Sequence, residues 1–176
     1  MHGMTEEEYA MKFCMLIALN EELSTGLNKY AENFINVLES YSRLVRNCPR
    51  LVLTEENLPE DEELKNCAAM LEEICRTGDT ELIVRQNLAM QSKLFALMVE
   101  AVYRMTILIR FYAPQGALLL TILQDFYWGN PNKKIVQICD EQHISRSTFF
   151  RRRDQAVMYG GFFFYKVVLA EMQGKI

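Results

Sequence analysis

Arg146 and Ser147 are followed one turn of helix later by the run Arg151-Arg152-Arg153, and Lys133 and Lys134 stand shortly upstream. Side chains of these types suit nucleic-acid recognition. A guanidinium forks to the acceptors of guanine in the major groove, a hydroxyl adapts to either strand, and an ammonium neutralises phosphate as a point charge. The charge is local. Residues 131–159 hold six basic and three acidic residues, a balance of +3, whereas residues 1–130 hold 11 basic and 19 acidic, a balance of -8. The overall charge of -4 hides that contrast, and the sign of a patch matters more than the sum for a nucleic-acid ligand. An arginine run also suits a plain solvated helix face, so both readings stand at this point.

Other chemistries find little material. His2 and His143 are the only histidines and sit in unrelated contexts, so no metal set and no Ser/His or Cys/His pair can be assembled. Gly160-Gly161 lacks the strand, spacing and lysine of a phosphate loop. No enzyme activity, cofactor or metal is expected. The five cysteines, Cys14, Cys48, Cys67, Cys75 and Cys139, form no C-x-x-C; most fall at apolar helical positions where a reduced thiol packs as a small hydrophobe, which points to the cytoplasm. Glu6, Glu7 and Glu8 occupy the place where an export signal needs positive charge. Glu100, Arg104 and Arg110 interrupt the apolar stretch 94–113, so no membrane span is expected there.

The elements that must position the basic cluster follow from the same stretch. Lys133 to Gln142 reads as a short helix, His143-Ile144-Ser145 as a tight turn, and Ser145 as the cap of a helix starting at Arg146. Two helices joined by so short a turn must cross steeply, which makes Pro131 to Tyr159 read as a helix-turn-helix. Its apolar slots agree: Ile135 and Ile138 face a core, Cys139 allows close approach, Ile144 plugs the turn and Phe149 is the main core residue of the second helix. After Gly160-Gly161, the run Phe162 to Leu169 is too apolar for a solvated tail. It reads either as a terminal helix returning to the core or as a dimer surface that sets two recognition helices one DNA turn apart, roughly 34 Å.

Upstream, 176 residues that are half hydrophobic, with eight glycines and four prolines, describe a folded chain of good helix formers. Thr5 and Glu8 form a T-x-x-E capping box, and apolar spacings of three and four from Tyr9 to Val45 predict one long helix, or two broken near Gly26. Cys48-Pro49-Arg50 ends it, and Leu51 to Leu58 is a connection. A second helix runs from near Pro59 to Thr77-Gly78, and a third from Asp79 to about Tyr112, central in a bundle or part of a dimer interface. Gly116 to Tyr127 makes a compact helix stopped by Gly129-Asn130-Pro131. The fold expected is all-α: residues 1–112 as an N-terminal long-helix bundle for dimerisation or partner binding, then residues 113–176 as a helix-turn-helix region with an apolar terminal helix sharing part of that core. Met1, Met4, Met11 and Met15 are core filling or an adaptable partner surface.

The pattern I-C-x-x-x-x-I-S-R-S-T-F-F-R, with the preceding apolar helix and Phe126-Tyr127-Trp128, resembles the fourth region of bacterial sigma factors and the phage-borne ArpU-type transcriptional regulators. The resemblance covers Pro114 to about Tyr165. It implies that Arg146, Ser147, Phe150, Arg151 and Arg153 lie on or beside the groove-facing side, with Ser145 and Arg152 adjoining, and that Lys133 and Lys134 meet phosphates. Against the family pattern, Gln142 replaces a buried leucine, His143 a left-handed glycine, and Arg152 an apolar residue. The function expected is sequence-specific binding of double-stranded DNA by a bacterial or phage transcriptional regulator, as a homodimer. The alternative is a non-enzymatic interaction module whose helix-turn-helix is structural or mimics a sigma factor to contact RNA polymerase or another protein.

Overall fold

Thr5 and Glu8 do close a capping box: Glu8 N donates to Thr5 Oγ1 at 3.1 Å and Thr5 N to Glu8 Oε2 at 2.8 Å, starting helix α1 (Glu6–Lys12). In this computed structural model, which describes residues 4–18, 28–47, 59, 61–79, 81–128 and 133–176, every regular element is helical. The first helix is shorter than expected. Phe13 leaves helical geometry (φ -103°, ψ 3°), its N–H turns back to Ala10 O at 3.1 Å, and α2 (Cys14–Ala18) follows. Next comes α3 (Asn28–Asn47). Gly26, Cys48-Pro49-Arg50, Leu51 to Leu58 and Gly129-Asn130-Pro131 lie outside the described residues, as do Met1 and His2.

Helix α4 (Asp61–Thr77) ends as the sequence indicates, with Gly78 at φ +72° donating to Ile74 O at 2.8 Å. The long helix expected from Asp79 is instead two, α5 (Glu81–Val84) and α6 (Leu88–Tyr112). Asn87 causes the break. Its backbone is extended, and Oδ1 accepts from Met90 N at 2.9 Å; an asparagine competes for local backbone groups and is better placed as a cap than inside a helix. Helix α6 is buried on nearly all sides, from Leu94 and Leu97 to Met105 and Ile109, and occupies the centre of the bundle. Then follow α7 (Gly116–Leu123), a π-helical turn (Gln124–Trp128), α8 (Ile135–Glu141) and α9 (Arg146–Phe162). A second π-helical segment (Phe163–Val168) and α10 (Leu169–Met172) close the chain.

One hydrophobic cluster joins Tyr9, Phe34, Leu38, Leu71, Leu97 and Met105 to Phe162, Phe164, Val168 and Met172, so residues on both sides of position 112 share a core. Phe162, Phe163, Phe164, Val167, Val168 and Leu169 are all buried in the chain's own interior. That places the terminal run in the core and overturns its alternative reading as a dimer surface. Gly160-Gly161 does not interrupt α9. A Cβ on Gly160 would run into the Phe34 ring, 2.8 Å from Cζ, so the glycine makes room for α3 against α9 rather than marking a break. No described helix is long and apolar enough to cross a membrane.

The junction between α6 and α7 is tight. Gln115 takes a left-handed conformation at φ 56°, and a Cβ on Gly116 would strike the Ile109 carbonyl and sit 3.0 Å from Arg110 Cα and O. Backbone cannot yield as a side chain can. Gly116→Ala is expected to cost about 1–3 kcal/mol, the usual range for overpacking, read as a lower urea midpoint with an unchanged slope.

A polar knot ties the ends of the chain to α6. Glu171 accepts from Tyr9 Oη at 2.9 Å, from Lys12 Nζ at 2.6 Å and from Arg104 Nη1 at 3.1 Å, while Arg104 Nε donates to Glu100 at 2.7 Å. Burial, then the Glu171 carboxylate, holds the Tyr9 phenol well above its ordinary 10.0. Burial does the same to Tyr165, and to the Cys75 thiol above its ordinary 9.0. These groups stay protonated in the folded chain and ionise readily only when it unfolds. Their contribution is therefore complete below about pH 9 and lost as pH rises beyond it. Urea midpoints should fall steadily from pH 9 to 11 and be flat from 7 to 8.5.

Candidate functional site

Helix α8 begins after Lys134, whose backbone is extended (φ -82°, ψ 150°) and whose N–H is taken by Gln137 Oε1 at 2.8 Å. It ends in a Schellman closure. Ile144 N donates to Cys139 O at 3.0 Å and His143 N to Asp140 O at 3.2 Å, with His143 in the left-handed region at φ 51° where glycine is the usual occupant. Ser145 then caps α9, its Oγ accepting from Thr148 N at 3.2 Å. Between the two helices lies a small second core: Ile122 from α7, Ile138 and Cys139 from α8 and Phe149 from α9, flanked by Leu118, Ile135 and Ile144. The apolar residues assigned from sequence all belong to it, and it fixes how α8 and α9 sit on α7.

Outside that core, the nine residues assigned from sequence divide into two sets. Arg146, Ser147, Phe150 and Arg151 are exposed; at spacings of one, four and five they share one face of α9. Lys134 is exposed as well. Ser145 is exposed but engaged, since its hydroxyl also meets Ser147 Oγ at 3.0 Å and Thr148 Oγ1 at 2.9 Å, so its role is to cap. The remaining three are turned to structural work. Lys133 bridges Asp125 at 2.8 Å and Glu141 at 2.6 Å; these two hydrogen bonds hold its ammonium above the usual lysine range and fasten α8 to the turn after α7. Arg152 is half-buried, its Nη1 donating to Gln155 at 2.8 Å while Nε is buried without a hydrogen-bond partner. Arg153 donates from Nε to Asp154 Oδ1 at 3.0 Å and lies over the rings of Phe150 (5.1 Å) and Phe126 (5.9 Å).

Aromatic rings brace the exposed face from behind. Phe126 meets Phe149 edge-on at 5.7 Å, and Phe149 meets Phe150 edge-on at 5.4 Å. Phe126 and the carboxylates Asp125, Glu141 and Asp154 carry parts that the sequence reading did not assign. Asp154 was the most legible, sitting directly after the arginine run. The Asp125–Lys133 pair joins residues that no spacing rule brings together.

Cys139 is buried in the small core and His143 is exposed at the turn. No group of three or more metal-ligating side chains occurs among the described residues. A cleft of about 410 Å³ is lined by Leu16, Glu72, Tyr165, Lys166, Ala170, Lys175 and Ile176, and neither Cys139 nor His143 borders it. Compared with known proteins, the chain matches no family model, no curated sequence and no solved structure.

Proposed function

We propose that α8 and α9 form a helix-turn-helix that binds duplex DNA through the face of α9 carrying Arg146, Ser147, Phe150 and Arg151, and that the chain is a transcriptional regulator of bacterial or phage type. The observation that carries the reading is the pairing of that exposed, basic face with a small core of its own, Ile122, Ile138, Cys139 and Phe149, which fixes α9 as a rigid reading element. Lys134, exposed at the start of α8, is placed to meet phosphate. The left-handed His143 and the Ser145 cap supply the short turn that such a motif needs. A homodimer would present two such faces one DNA turn apart, and its contact lies away from the buried terminal run.

A second reading has its own support. The balance of -8 over residues 1–130 repels DNA elsewhere on the surface, and Met4, Met11 and Met15 are exposed on or beside α1 and α2, which suits a module that contacts RNA polymerase or another protein. A salt series with random duplex DNA separates the two. DNA binding predicts that log K falls linearly with log salt by about 0.9 for each phosphate contacted; absence of binding at low salt leaves the protein-partner reading standing.

A further inference from the structure

Resting on the DNA-binding reading, we infer that Phe150 is a specificity residue that recognises the C5-methyl group of a thymine beside the base pairs reached by Arg146 and Arg151. The Phe150 ring is 36% exposed on the helix face that also carries Arg146 and Arg151. This ring is nevertheless held in place. Phe149 packs edge-on against it at 5.4 Å with the planes at 76°, and the Arg153 guanidinium lies 5.1 Å from its centre. Arg153 is anchored in turn by Asp154 and by the Phe126 ring, so a cation with no outward task serves to fix Phe150.

The result is a rigid apolar surface flanked by two donors that make no hydrogen bond to it. Arginines select acceptor-rich guanine edges; an apolar ring selects what no hydrogen-bonding group can, and in the major groove of unmodified DNA that is the thymine methyl. The face therefore reads a mixed site, guanine and thymine within neighbouring base pairs, rather than a G-rich tract.

The test begins by enriching duplexes from a random pool with the wild-type protein and with Phe150→Ala, followed by affinity measurements on the enriched duplex with each thymine in turn replaced by deoxyuridine, which removes only the methyl. One position should weaken wild-type binding about fourfold on that replacement, the worth of one buried methyl at about 0.8 kcal/mol, while Phe150→Ala is indifferent there and enriches a site without that thymine. Because the methyl is deleted from the DNA, the wild-type arm does not depend on how the variant folds, and melting curves of Phe150→Ala check that its own arm is read on folded protein. Wild-type binding that is sequence-specific yet insensitive to every uracil, or a Phe150→Ala protein that still senses the methyl, overturns the inference and leaves the DNA-binding reading intact. Failure of the wild type to bind duplex DNA at low salt overturns both.

Discussion

Changing Arg146 and Arg151 together to alanine should weaken binding to duplex DNA by on the order of a hundredfold or more without lowering thermal stability. Both side chains are exposed on one face of α9, so their loss removes no buried contact, and a bidentate arginine–guanine pair is worth about 1–3 kcal/mol of discrimination. Arg153→Ala should behave differently. Its guanidinium is committed to Asp154 and to two aromatic rings, so the affinity loss should be several-fold only. Equal losses for Arg146, Arg151 and Arg153 would mean that the run acts as undifferentiated positive charge. Anisotropy titrations at fixed salt, with melting curves alongside, make the comparison.

Replacing Phe149 by alanine should destabilise the chain by about 3–5 kcal/mol, the range for removing a fully buried phenylalanine. Phe149 is 0% exposed, fills the small core against Ile122, Ile138 and Cys139, and braces Phe126 and Phe150. A cluster with so few members has little material with which to close the cavity. Because α9 continues from this cluster into the main core at Ala156 and Phe162, the loss should appear in global unfolding, as a urea midpoint lowered for the whole chain. A shift worth less than about 1 kcal/mol would show that α8 and α9 do not depend on this core for their placement.

Where local rules act alone, the sequence was a good guide. The Thr5–Glu8 box, the end of α4 at Gly78 and the Ser145 cap each rest on bonds between residues no more than four positions apart, and the slots of the small core followed from the apolar spacing along α8 and α9. Elements failed where a polar residue hid inside an apolar period, as Asn87 did in splitting α5 from α6, or where tertiary contact reversed a residue's usual meaning. Gly160-Gly161 reads as punctuation, yet Phe34, far away in the chain, needs the space. The basic cluster shows the same limit. Composition sums Lys133, Arg152 and Arg153 with the rest, but Asp125, Glu141, Asp154 and Gln155 take up their donors, and only packing reveals which arginines remain available.

The most direct test of the central claim is a map of backbone amide chemical shifts as a short random duplex is added to the isotopically labelled protein at low salt. Binding through the α9 face predicts perturbations concentrated at Lys134 and from Ser145 to Arg151, fading as salt is raised. Perturbations centred on α1 and α2, or none at all, would contradict it.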